Sequence, residues 1–272
     1  MPAAPTTPRL LSRGRTRIAA VGVAAGLLAG LLGVGGGIIL VPGLVWAVGM
    51  DRHTATGTSL VAILPIAVVG TLTYALAPGG AFDLPASVIL VGGSLAGAVI
   101  GANINARVSE RTLRLALAGI GAVFGARLVV PLGFGAGAET LPLDAANVAL
   151  LVALGLVGGV LAGLLGVGGS VIVIAVLVVA LGTSQVLAQG IALAAVIPTV
   201  LVAAAVHRRL GSLAPRTGLA AGLAGTLGAV PGALAALALP HGGLRTVFGA
   251  FLLFNGARTL RAVRAQRRAE AA

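Results

Sequence analysis

Residues 26–37 read GLLAGLLGVGGG, and residues 159–170 read GVLAGLLGVGGS. Extended to 26–45 and 159–178, the two stretches agree at 13 of 20 positions at a constant offset of 133. Each contains a five-residue run, GVGGG at 33–37 and GVGGS at 166–170, that suits a continuous helix poorly. In a helix interior every glycine costs about 1 kcal/mol relative to alanine. An internal repeat of this kind in an apolar chain points to a duplicated membrane protein, with the two breaks marking where a substrate sits.

Composition supports that class. Of the 272 residues, 58% are hydrophobic and 9% charged, against about 25% charged in a soluble domain. The 43 glycines alternate with Leu, Val and Ala inside long apolar runs, a pattern that suits close helix packing in lipid. The net charge of +12 rests on arginine, with lysine absent. Those arginines lie between apolar runs and at the two ends, as in cytoplasmic loops, so nucleic acid is not an expected partner. The arginine-rich start followed by an apolar run has the outline of a signal peptide. Its copy at 159–178 assigns it instead to the folded protein.

The apolar segments are 18–49, 56–77, 84–104, 112–133, 146–181, 186–206, 213–238 and 243–262. About 20 residues cross the hydrocarbon core, so the first and fifth are long for single spans. They are either interrupted spans or hairpins that enter and leave on one side. If both cross, the arginines divide 13 inside and 5 outside; if both are hairpins, they divide 16 and 2. Cytoplasmic loops collect arginine, which favours hairpins, an odd number of crossings per repeat and therefore inverted halves. The expected fold is an all-α polytopic membrane protein of two inverted repeats, each a glycine-broken re-entrant hairpin plus three transmembrane helices. Each hairpin arm would hold about 14 residues, or ~21 Å. The expected divisions are a basic cytoplasmic tail at 1–17, a first repeat at 18–133, a linker at 134–145, a second repeat at 146–262 and a basic cytoplasmic tail at 263–272.

The duplication continues beyond the glycines. Thr56-Gly57 through Pro65 aligns with Gln189-Gly190 through Pro198, again at an offset of 133. The GAR triplet ending at Arg127 matches that ending at Arg258. At the breaks, Gly35, Gly36 and Gly37, and Gly168, Gly169 and Ser170, would open a half-helix whose unpaired N–H groups and dipole favour an anion. Thr56, Ser59 and Gln189 could complete a hydrogen-bonding shell. The glycines spaced by four (Gly22, Gly26, Gly30; Gly155, Gly159, Gly163; Gly93, Gly97, Gly101) read instead as helix-crossing positions.

Arg127 and Arg258 sit in apolar surroundings and are either snorkelling side chains or cationic guides along a pathway. Asn103, Asn105 and Asn255 read as interfacial or packing residues, and His53 and His207 as surface histidines. The six acidic residues fall in loops or tails, and there are three histidines and no cysteine. No metal cluster or nucleophile–base pair can be assembled from them, so neither an enzyme, a metal nor a cofactor is expected.

The duplicated GLLGVGGG, followed in the first copy by IILVP ending at Pro42, resembles the TauE/SafE family of sulfite and organosulfonate exporters. The likeness covers nearly the whole chain, including the TGTSL stretch that begins at Thr56. It implies a multi-pass permease of the bacterial inner membrane with a small sulfur anion as substrate, while the hairpin arrangement places both termini in the cytoplasm. Two departures stand out: Ser170 replaces the last tip glycine, and Ala175 stands where the first copy has Pro42. The partners expected are a small anion and the bilayer, and a homo-oligomer is compatible with these features. A non-transporting membrane subunit and an anion channel are the alternatives.

Overall fold

The computed structural model describes residues 8–79, 81–105, 110–130, 137–166 and 168–270. Outside these lie residues 1–7 of the basic start, Arg107, the end of the 112–133 segment, the first linker residues, Val167 of the second break and residues 271–272.

Ten helices account for the described chain: α1 (Pro8–Leu32), α2 (Gly37–Val48), α3 (Arg52–Leu76), α4 (Leu84–Ile104), α5 (Glu110–Val129), α6 (Ala145–Leu165), α7 (Ser170–Ala180), α8 (Gln185–Arg209), α9 (Pro215–Ala238) and α10 (His241–Glu270). Among the described residues the only extended pairing is an isolated bridge between Ala138 of the linker and Thr183. Aspartates open several helices: Asp51, Asp83 and Asp144 accept from the backbone N–H three residues on, and Ser184 does the same for α8. These caps satisfy donors that a helix start leaves unpaired.

Six helices are long and apolar enough to cross a membrane: α1 over Gly14–Leu32, α3, α4, α6, α8 and α9. Their outward faces carry bare apolar side chains such as Leu72, Leu76, Val88, Leu223 and Leu227, which suit lipid rather than water.

Both breaks fall where the glycines predict. α1 stops at Leu32 and α2 starts at Gly37; α6 stops at Leu165 and α7 starts at Ser170. After each break the chain doubles back. A methyl group built on Gly43 of α2 would meet Val21 of α1, and one on Gly36 would meet the Ala25 carbonyl at 2.8 Å. Likewise Val173 of α7 lies over Gly158 of α6.

The arms are unequal, which corrects the expectation of two arms of about 14 residues. α1 and α2 hold 25 and 12 residues, and α6 and α7 hold 21 and 11. The extra length is at the entry end. Arginine is a good helix former, so α1 continues back through the basic segment to Pro8. The second arms span only about 17–18 Å at 1.5 Å per residue. α5 is also shorter than its expected segment, its apolar part being Ala118–Val129.

The two repeats are interlaced. α1 packs along α9 and α6 along α4; α3 and α9 pair, as do α8 and α4; α5 crosses α10, and α3 meets α8. Every one of these pairs joins one repeat to the other, and exchanging the repeats maps the set onto itself. The glycines spaced by four make the two longest seams. A methyl group on Gly22, Gly26 or Gly30 would strike the backbone of Ala221, Gly225 or Ala229 in α9. One on Gly155 or Gly159 would strike Leu90 or Ser94 in α4, and Gly93, Gly97 and Gly101 face α6 in return. In lipid, where burial of apolar surface gives no drive between helices, such backbone-to-backbone approach is what holds them.

Candidate functional site

The two breaks meet the chemistry of the chain at buried positions. Gly35, Gly36, Gly37, Gly168, Gly169 and Ser170 are all buried. Gly36 (φ 78°) and Gly169 (φ 70°) are the N-caps of α2 and α7, both left-handed and both without a capping side chain. An L side chain resists that conformation, and at Gly169 a methyl group would also run into the Gly158 carbonyl. Each short helix thus presents the positive end of its dipole to the break, with no side chain to neutralise it.

Each tip is pinned by a polar residue from the opposite repeat. Gln189 on α8 packs against Gly33 of the first tip. Its Nε2 donates to the Leu31 carbonyl at 3.3 Å, and its Oε1 accepts from Tyr74 at 2.6 Å. On the other side, Ser59 on α3 donates between the Thr56 carbonyl (2.7 Å) and the Gly166 carbonyl of the second tip (2.8 Å). A methyl group on Gly166 would meet Ser59 Oγ at 2.5 Å and the Thr56 carbonyl at 2.6 Å. The Thr56 hydroxyl itself donates back to Arg52, at 3.0 Å. The polar atoms of Thr56, Ser59 and Gln189 are therefore engaged with backbone or, for Gln189 Oε1, with Tyr74, and they shape the tips rather than point free donors at them.

A second pair of fasteners was not anticipated. The one Tyr74 hydroxyl hydrogen is shared between Gln189 Oε1 and the Gly30 carbonyl at 2.7 Å, and His207 Nε2 reaches the Gly163 carbonyl at 3.0 Å. Tyr74 and His207 stand at the offset of 133, as do Gly30 and Gly163. A carbonyl only accepts, so Nε2 of His207 carries a proton, while Nδ1 faces Ser212 Oγ at 2.9 Å. The surface reading of His207 is corrected: its side chain is fully buried, whereas His53 is exposed. The flanking Arg208 and Arg209 suggested a loop, but α8 runs on to Arg209 and turns His207 inward while both arginines face outward.

Beside the second tip three hydroxyl-bearing residues gather. Ser94 on α4 and Thr199 on α8 place their hydroxyls 2.6 Å apart, next to Gly168, Gly169 and Ser170. The Ser170 hydroxyl is buried there without a hydrogen-bond partner. The space between them admits the centre of a water-sized sphere over only about 10 Å³, room for about one water. At the first tip the residues one offset away from Thr199, Val196, Val173 and Ser170 are Ile66, Ile63, Leu40 and Gly37, with no hydroxyl among them. Ile66 lies against Gly225, the residue that takes the place of Ser94 across from it.

The structure does not bring the two pathway arginines to the tips. Arg127 is exposed on the last turn of α5, and Arg258 is exposed on α10 with its guanidinium 5.3 Å from the ring centre of Trp46. The asparagines serve backbone: Asn103 donates to Val99 at 2.8 Å and Asn255 to Phe251 at 3.0 Å, while Asn105 donates to the Leu164 carbonyl at the end of α6. Of the residues missed in sequence, Tyr74 and His207 had a signal in their shared offset. Ser94 and Thr199 had none beyond being hydroxyls inside apolar segments.

Comparison with known proteins fits this geometry. The chain is similar to a "Probable membrane transporter protein" of Xylella fastidiosa (strain 9a5c), 37% identical over 59 residues, 22% of this chain and 23% of that protein. It is also similar to the "Probable membrane transporter protein YdhB" of Bacillus subtilis (strain 168), 29% identical over 102 residues, 38% of this chain and 41% of that protein. These alignments thus span less than half the length of either relative. No solved structure matches. The family model described as "Sulfite exporter TauE/SafE" matches residues 3–128 and 151–272, both interlaced repeats and both glycine tips, and the chain belongs to that family.

Proposed function

We propose that the chain is a bacterial inner-membrane transporter that carries a small anion, sulfite or an organosulfonate, by alternating access between two inverted repeats, with both termini in the cytoplasm. One observation carries this reading: two buried half-helices begin at glycine tips with no capping side chain, and each tip is pinned by the opposite repeat. Gly35, Gly36 and Gly37, and Gly168, Gly169 and Ser170, supply backbone donors for an anion. Thr56, Ser59 and Gln189 act through the tips they hold, so a shift of one repeat against the other is felt at both breaks. Irregular backbone at membrane depth requires protein around it or a wet cavity, and the opposite repeat supplies that cover here.

No coupling carboxylate is required for export. A monoanion leaving an inside-negative cell gains about 2.3 kcal/mol per 100 mV. The test is flux of sulfite and of methanesulfonate in proteoliposomes under an imposed potential. Electrogenic, saturable flux that disappears in the Gly36→Leu plus Gly169→Leu variant supports the reading. Absence of flux for every anion tried overturns it, and unitary conductance without saturation replaces the carrier with a channel.

A further inference from the structure

The two tips share a backbone but differ in what surrounds it. Around the second, three hydroxyls converge on the start of α7: Ser170 on the helix itself, Ser94 from α4 and Thr199 from α8. Ser170 Oγ, in a residue only 1% exposed, has no partner. A buried hydroxyl without a partner is costly, and its residue borders a small cavity. Ser94 and Thr199 hold each other at 2.6 Å, and each also lies within reach of a carbonyl of its own helix, Val91 at 3.0 Å and Ala195 at 2.6 Å. Either hydroxyl can therefore turn its hydrogen toward a ligand while the other gives up its backbone acceptor and donates to it. Gly155, Gly158 and Gly159 form the opposite wall. They let α6 approach α4 and α7 closely there, bringing the three hydroxyl residues around one small space.

We propose that the oxyanion is bound by one of the two tips only, the second, through Ser170, Ser94, Thr199 and the first-turn amides of α7, which narrows the two-tip site above and leaves Gly35, Gly36 and Gly37 a structural role. This rests on the transporter reading above and assigns the substrate site within it. The ligand class follows from the lining. The donors are neutral hydroxyls and amides, and no cationic or acidic side chain lines the cavity among the described residues. Such a site suits a small, fully ionised oxyanion whose oxygens only accept, and it offers nothing to an ammonium group. The present cavity holds about one water, so α4 and α8 must separate from the tip when the anion enters.

The experiment is titration of the purified full-length chain with sodium sulfite, sodium methanesulfonate, sodium acetate and sodium chloride, read by calorimetry and by thermal shift. The variants are S94A/T199V, S170G, which copies the residue found at the first tip, and I66T, which adds a hydroxyl at the position matching Thr199. Wild type is expected to bind a sulfur oxyanion, and S94A/T199V to bind it at least about tenfold more weakly, the scale of hydrogen bonds lost to a charged ligand. S170G should weaken it several-fold and I66T leave it within about twofold. If S94A/T199V fails to fold, as judged by size-exclusion elution and melting without ligand, T199V and S170G carry the test.

Wild-type affinity in S94A/T199V or its substitutes overturns this site while leaving transport intact. Equal weakening by I66T overturns its one-sidedness. An anion bound by none of the proteins, wild type included, overturns both this site and the anion reading.

Discussion

The first and second tips are the same piece of backbone built twice. In both, a long helix ends, two or more glycines adopt positive φ, and a short helix starts at a left-handed glycine cap. Their surroundings have diverged. The first is fastened by Gln189 and Tyr74 and has Ile63, Ile66 and Leu40 at the matching positions; the second is fastened by Ser59 and His207 and has Ser94 and Thr199 beside it. The lesson is that glycine fixes the shape, because only backbone is involved. Side chains outside the turn then diverge without disturbing it.

The sharpest way to probe that comparison is to attack the two caps. Gly169→Ala should cost roughly 2–5 kcal/mol, combining left-handed strain with overpacking, because its methyl group runs into the Gly158 carbonyl. Gly36→Ala should cost less, since its nearest atom, the Ala25 carbonyl, is 2.8 Å away. Detergent unfolding of the two variants side by side measures the difference, and equal losses would mean the second tip is no tighter than the first.

The fasteners come next. Tyr74→Phe leaves Gln189 Oε1 without its buried donor, and His207→Phe strips Ser212 Oγ of its ring partner. Each should lower stability by about 1–3 kcal/mol, and protection of the tip amides in hydrogen exchange should fall at the first tip for one and at the second for the other. Loss of protection at both tips from either change would show that the repeats move as one.

Ser59→Ala removes the bond to Gly166 at 2.8 Å and should cost only about 0.6 kcal/mol, the average for interhelical bonds in membranes. A Gln189→Leu variant, which leaves the Leu31 carbonyl and Tyr74 unserved, should exceed it in the same unfolding assay.

The smallest effect lies at the helix caps. Asp51 caps α3 and Ser184, one offset later, caps α8. Hydrogen bonds from Thr54, side chain and then backbone, hold the exposed Asp51 carboxyl below the usual carboxylate range. A lowered folded value means its contribution is present above the ordinary carboxylate range and fades as pH falls through that value. Melting temperature should therefore dip slightly in acid for the wild type and less so for Asp51→Ala. Ser184→Ala should shift melting by the same small amount at every pH.

Much of the fold was legible because glycine acts locally. The GVGGG and GVGGS runs located both breaks to the residue, and the glycines spaced by four marked the faces that pack closely. Which helix meets each face was not legible. α1 chooses α9 and α6 chooses α4, a choice made by complementary backbone surfaces far apart in sequence. The arms are unequal because the second break sits off-centre in its apolar segment and the arginine-bearing turns of α1 are helical too. At the site, the tips stood out and the hydroxyls beside them did not. A serine such as Ser94 inside an apolar run usually bonds its own helix, and its second role appears only when α8 brings Thr199 to it.

The interlacing also carries a record of descent. Every major seam pairs a helix of one copy with a helix of the other, so a protein made of one copy would have exposed all of these glycine faces. A single copy could cover those faces only by pairing with a second. With the two copies written separately in one chain, a change near one tip is not a change near the other. Gly37 and Ser170, Ile66 and Thr199, Tyr74 and His207 are the marks of that freedom.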